Sequence, residues 1–268
     1  MPTVTIDGKP YEAQAGETIL QVARRNGIWI PTLCHHDALE PYAACRICVV
    51  EIDRGGWWQV VTSCNYPIRR DLTVRVESER AVRARRGVMQ LLLARCPESL
   101  DLANLAARMG VRSTPYPHVT EAQRNCILCG LCVRVCEERI GASAIAPAGR
   151  GVDRAVATPF RLASEDCIGC GACAAICPVG TIVVRIHPDE VEISPFKTRV
   201  KLRRCAGCGQ PLGSELVEQA LRQRGGPTVV EMLARQPLCP RCKREKLASG
   251  LTFPSPSGRG QVPRCDRF

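Results

Sequence analysis

Apolar and polar residues alternate over the first part of the chain in short runs. Thr3–Ile6 and residues 11–13 read as strands flanking Asp7-Gly8, a dipeptide suited to the positive φ of a tight hairpin turn. The period then changes. Ile19, Val22, Ala23 and Asn26 recur at i, i+3, i+4 and i+7, which predicts an amphipathic helix over 17–26, stopped by Gly27. Strand-like runs return at 48–52, 59–64 and 72–76. Further along, Leu102, Leu105, Ala106 and Met109 form a helical stripe ending before Gly110, and residues 214–222 and 229–236 also read as helical. After Ser249 the chain is rich in Gly, Pro and Ser and is expected to have no fold of its own. The pattern predicts an α+β protein of several small units.

Composition adds metal to that picture. Of 268 residues only 4% are aromatic while 18 are cysteine, so metal centres are expected to replace part of the usual apolar core. No run of 18 apolar residues suggests a membrane span. The start, MPTVTIDGKPYEA, lacks a basic and then apolar leader, and Arg24-Arg25 lies inside a helical pattern rather than in a twin-arginine signal. A cytoplasmic location is expected, where thiols serve as metal ligands rather than disulfides.

Eight cysteines form two near-identical runs, Cys126-x2-Cys129-x2-Cys132-x3-Cys136 and Cys167-x2-Cys170-x2-Cys173-x3-Cys177-Pro178. This is the spacing by which a bacterial-type ferredoxin holds two 4Fe–4S cubanes, the fourth cysteine of each run ligating the other cluster. Cluster A would take Cys126, Cys129, Cys132 and Cys177; cluster B would take Cys167, Cys170, Cys173 and Cys136. Gly130, Gly169, Gly171 and Ala172 are small enough to let backbone N–H groups approach the cluster sulfurs.

A second kind of spacing lies upstream: Cys34-x10-Cys45-x2-Cys48-x15-Cys64. Plant-type 2Fe–2S ferredoxins use C-x4-C-x2-C and a distant fourth cysteine, so here the cluster loop is longer. Two strands, a helix and more strands is also the order of a β-grasp ferredoxin. The string PTLCHHDALEPYAACRICVVEI, with Cys64 after it, resembles the N-terminal 2Fe–2S domain of the complex I large iron–sulfur subunit. It is equally similar to the diaphorase iron–sulfur subunit of NAD-linked NiFe hydrogenases and to the N-terminal part of FeFe hydrogenases. His35 and His36 could serve a two-histidine, two-cysteine centre, but four cysteines suffice, so the histidines are assigned to the loop.

In that family a linker cluster follows, held by an H-x3-C-x2-C-x5-C pattern. The matching stretch here, 87–111, keeps its helices, but residues 95–99 read Arg-Cys-Pro-Glu-Ser. One thiolate, Cys96, cannot hold a cubane, so this cluster is expected to be absent. The resemblance resumes over the paired cubane runs and covers roughly residues 1–185. No catalytic FeFe or molybdopterin-type region is recognised beyond it, nor a dinucleotide or nucleoside triphosphate loop. The resemblance therefore implies that substrate chemistry sits on other subunits.

Cys205-x2-Cys208 and Cys239-x2-Cys242, 30 residues apart, look like zinc knuckles. They would close a structural tetrahedral zinc site or hold a third 4Fe–4S cluster, with zinc preferred. The expected organisation is a 2Fe–2S domain (1–78), a helical linker (79–118), a dicluster 4Fe–4S domain (119–195), a zinc-ribbon-like four-cysteine domain (196–248) and a tail (249–268).

The formal charge of +11 suggests nucleic acid until the ligands are counted. Each four-thiolate centre carries about −2, so four of them would leave about +3. A regulator binding nucleic acid through zinc should also interleave basic residues with aromatics, which are scarce here. A free-standing ferredoxin should be smaller and acidic. The favoured expectation is an electron-transfer subunit linking a flavin/NAD(P)-binding subunit to a catalytic one, most simply a NiFe hydrogenase. The same wire would serve a formate dehydrogenase, a bifurcating complex or a complex I-like assembly.

Overall fold

The structure is a computed structural model that describes residues 1–119, 125–234 and 237–250. The expected tail lies outside the described residues apart from its first two. The chain divides into two compact units, Met1–Lys201 and Leu202–Phe268.

The first unit begins with a hairpin of β1 (Thr3–Ile6) and β2 (Lys9–Glu12). β2 starts earlier than the sequence pattern indicates, because the two-residue turn at Asp7-Gly8 pairs Ile6 directly with Lys9. Helix α1 (Ile19–Arg25) starts later than expected because Thr18 caps it: its hydroxyl accepts from Gln21 N–H, while Gln21 returns a bond to the Thr18 N–H. Three further strands follow, β3 (Val49–Asp53), β4 (Trp58–Thr62) and β5 (Leu72–Arg75). The five strands order as β2-β1-β5-β3-β4, with β1 and β5 parallel. Ile19, Leu20, Val22 and Ala23 of α1 are fully buried with Val4, Ile6, Val50, Ile52 and Val74. The arrangement is the β-grasp expected from the pattern.

Helix α2 (Glu79–Arg95) is capped by Ser78 and buries Ala81, Arg85, Met89 and Ala94. Helix α3 (Leu100–Arg108), capped by Ser99, buries Leu102 and Ala106. These helices share a core with two regions that the sequence separates: Cys34, Cys45 and Ile47 on one side, and Ile127, Cys129, Leu131 and Val179 on the other. The linker is therefore packed into the unit.

Beyond the linker, α4 (Leu131–Arg134) runs into a π-helical turn at Val135–Ile140, then β6 (Ala146–Ala148) pairs with β7 (Ala155–Ala157). Helix α5 (Ala172–Ala175) precedes β8 (Val183–Ile186) and β9 (Glu190–Ser194), which pair antiparallel. In β10 (Thr198–Arg204), residues 198–201 pair with β9, and residues 202–204 pair with β11 (Pro211–Ser214) in the second unit. That unit adds α6 (Glu215–Arg224), α7 (Pro227–Ala234) and α8 (Pro240–Gly250).

Candidate iron–sulfur and metal centres

Cys34 and Cys45 lie in the loop between α1 and β3, Cys48 precedes β3, and Cys64 sits on a 3-10 turn after β4. All four thiols are buried, and they pair across the site. The Cys45 N–H donates to Cys34 Sγ at 3.3 Å. A hydrogen bond from the Cys34 thiol lowers Cys45 to about 6 and raises Cys34. The same sharing with Cys64 lowers Cys48 to about 7 and raises Cys64. Ala43 and Arg46 adopt left-handed φ values of 58°, a strained conformation that a closely wrapped ligand loop can require. His36 Nδ1 accepts from the Ala38 N–H at 3.1 Å, and Arg24 reaches His35 Nδ1 at 3.4 Å.

The two later runs share one backbone device. Positive φ falls at Leu128 and Gly130 in the first run and at the equivalent Gly169 and Gly171 in the second. Such alternation turns successive N–H groups inward, a geometry suited to anionic sulfur. Leu128 N–H donates to Cys126 Sγ at 3.4 Å. Gly169 is also sterically fixed, since a Cβ there would lie 3.1 Å from both Val191 Cγ1 and Val200 Cβ. Gly169→Ala should accordingly destabilise the protein by about 1–3 kcal/mol and weaken cluster retention at the second run, read by denaturant titration and iron content. Unchanged stability would show that the loop does not need its left-handed turn.

Cys126, Cys129, Cys132 and Cys177 line one cavity of about 570 Å³, together with Ile127, Ile182 and Phe196. Cys136, Cys167, Cys170 and Cys173 line a second, much narrower one. Each set draws three cysteines from one run and one from the other. Burial pushes Cys129 and Cys173 up to about 12 and raises Cys126, Cys132 and Cys167. Held neutral by their surroundings, these thiols need a cation's charge to become thiolates, which is what iron supplies. The donor sets fit iron–sulfur clusters, and the first cavity also has the volume for one.

The N-terminal loop touches the dicluster segment directly. The Tyr42 ring lies against Gly130, whose Cβ would be 3.5 Å from it, and Arg134 stacks over Tyr42 at 5.4 Å from the ring centroid. Arg139 Nε donates to the Ala38 carbonyl. Cys96, fully buried, has its thiol pushed up to about 12 by burial. The shortened stretch around it braces both halves of the first cavity. Arg95 Nε donates to Cys126 O at 2.7 Å, Asn125 Nδ2 to Glu98 at 2.8 Å, and Ser99 Oγ to Val179 O at 3.2 Å. The arginines of α2 are the functional candidates that sequence reasoning missed. Arg85 interrupts the stripe Ala81–Met89 where an apolar residue belongs, and that was the available signal.

In the second unit, Cys205, Cys208, Cys239 and Cys242 place their sulfurs within 4.8 Å of one another, with Cys208 and Cys239 at 3.7 Å. Backbone N–H groups converge on them: Gly207 and Cys239 donate to Cys205 Sγ at 3.4 and 3.2 Å, and Cys242 donates to Cys239 Sγ at 3.4 Å. The Cys239 N–H is the main reason that Cys205 falls to about 6. A side chain at Gly207 would be crowded, because its Cβ would sit 3.0 Å from Cys242 Sγ.

Comparison with known proteins places these centres in a class. Residues 1–79 match the 2Fe-2S iron-sulfur cluster binding domain, and residues 125–181 and 166–211 match the 4Fe-4S dicluster domain. The chain belongs to the iron–sulfur proteins that join these two domains. It is 33% identical over 225 residues to NADPH-Fe(3+) oxidoreductase subunit alpha of Geobacter sulfurreducens, covering 74% of this chain and 25% of that protein. NADP-reducing hydrogenase subunit HndD of Solidesulfovibrio fructosivorans is 34% identical over 252 residues, covering 80% of this chain and 42% of that protein. A crystal structure of an NAD+-reducing NiFe-hydrogenase in the H2-reduced state aligns with a TM-score of 0.50 and 30% identity, over 59% of this chain and 74% of that one. The chain thus spans well under two thirds of these curated relatives. Among the described residues no helix is long and apolar enough to cross a membrane.

Proposed function

We propose that this chain is the electron-transfer subunit of a cytoplasmic, multi-subunit NAD(P)-linked oxidoreductase. It serves between a flavin/NAD(P)-binding subunit and a catalytic subunit of NiFe-hydrogenase type. Cys34, Cys45, Cys48 and Cys64 hold a 2Fe–2S cluster. Cys126, Cys129, Cys132 and Cys177 hold one cubane, and Cys167, Cys170, Cys173 and Cys136 hold the other. When bound, these clusters would supply one-electron redox centres; the chain holds them and buries the four thiols of the 2Fe–2S site. The observation that carries this reading is the shared core, in which Cys34 and Cys45 belong to the same buried cluster as Cys129, Leu131 and Val179. Anaerobic affinity purification from the source cells tests the partners. Flavin-binding and hydrogenase-like subunits should co-purify, and recovery of the chain alone would count against the assignment.

Cys205, Cys208, Cys239 and Cys242 hold zinc in this reading. A tetrahedron with Zn–S bonds of about 2.3 Å has sulfur–sulfur edges of about 3.8 Å. The 3.7 Å between Cys208 and Cys239 is of that size, whereas a cubane would interpose a whole cluster between its ligands. Anaerobically isolated protein should contain about ten iron atoms and one zinc per chain. About fourteen irons without zinc would make this a third cubane.

A further inference from the structure

We infer that helix α2 tunes the reduction potentials of two neighbouring centres from two points along its length, through Arg85 at the 2Fe–2S site and Arg95 at the first cubane site. The inference rests on the ligand assignment above. Neither arginine is a ligand; both are positioning and electrostatic residues.

The Arg85 side chain is 5% exposed. Its Nε donates to the carbonyl of Val49, the residue after Cys48, at 2.8 Å, and its Nη1 reaches Glu77 at 3.2 Å. Its Nη2 is buried and has no hydrogen-bond partner. An unpaired buried donor of this kind costs about 1–3 kcal/mol. An anionic, sulfur-rich group held by Cys48 would place negative charge near this donor. Glu77 is 65% exposed, so water screens much of its counter-charge.

At the C-terminal end of α2, Arg95 Nε donates to the carbonyl of Cys126 itself at 2.7 Å, and Nη2 to that of Arg154 at 3.2 Å. Among the described residues these partners are neutral carbonyls, which leave the guanidinium charge available to the site. Ten residues of helix separate the two arms by about 15 Å along the axis. Uptake of one electron makes a cluster site one unit more negative. A fixed cation beside it stabilises that reduced form and raises its potential.

The test is EPR-monitored redox titration of the full chain, handled anaerobically. Arg85→Gln should lower the 2Fe–2S midpoint alone, and Arg95→Gln that of the cubane held by Cys126, Cys129, Cys132 and Cys177 alone. Arg85→Lys and Arg95→Lys, which keep the charge, should recover much of each shift. Glu77→Gln removes a largely screened counter-charge and should raise the 2Fe–2S midpoint by less than Arg85→Gln lowers it. Where Arg85→Gln fails to retain iron, a large midpoint change in Arg85→Lys, which keeps the charge, overturns the role of Arg85. Midpoints that stay fixed, or that move together at all centres, overturn the inference. Missing 2Fe–2S or cubane signals in the wild-type chain would instead sink the ligand assignment.

Discussion

Cys177→Ala should abolish the cubane built mainly by the first cysteine run, while the cubane of its own run persists. Cys136→Ala should do the reverse. The reason is geometric. Cys177 lines a cavity with Cys126, Cys129 and Cys132, and Cys136 lines one with Cys167, Cys170 and Cys173. Each substitution should remove about four of ten irons and one cubane's EPR signal while leaving the 2Fe–2S signal intact. Losses confined to the run that carries the substitution would show that each run closes its own cluster. Ser99 Oγ on Val179 O and Arg95 on Cys126 O hold the two contributing segments together, so a lost ligand should not scatter the remaining three.

Removing the metal from the second unit should unfold it and leave the first unit folded with its iron. Among the described residues of that unit, only Leu202, Cys205, Ser214 and Cys239 are buried. So small a core cannot offset the entropy of ordering three helices and a hairpin. Structural zinc in small domains supplies about 10–16 kcal/mol of apparent binding energy, which here would be folding energy. Hydrogen exchange before and after zinc chelation measures this: amides around Cys205 and Cys239 should lose nearly all protection, and Cys208→Ser should mimic the effect. Protection that survives chelation would mean that α6, α7 and α8 fold without the metal.

The N-terminal unit was legible because one signal recurs at several levels. Alternation, a change to helical period at Ile19 and the Asp7-Gly8 turn all specify the same sheet, and Thr18 shifts only the helix start. The cysteine spacing groups the same residues that line the two cavities and the four-sulfur site of the second unit, since cluster ligation tolerates few arrangements. What the sequence hid depends on tertiary contact. Spacing could show that residues 95–99 lack ligands, yet not that Arg95, Glu98 and Ser99 would grasp Asn125, Cys126 and Val179. Leu128 likewise takes a left-handed conformation where the second run uses glycine, because its amide is needed at Cys126 Sγ. Local propensity alone would have disfavoured it.

The core shared by the N-terminal loop, α2, α3 and the first cubane run bears on how such proteins can be taken apart. Ferredoxin domains are often treated as interchangeable cartridges, cut at the linker and joined elsewhere. Severing this chain near Cys96 would expose Ile47 and Met89 on one fragment and Leu102, Ile127, Leu131 and Val179 on the other. Each fragment would carry a sticky apolar face, and its centre would have more water around it than in the parent. Potentials measured on excised halves would therefore describe two new proteins, and chimeras should exchange residues 1–201 as one block.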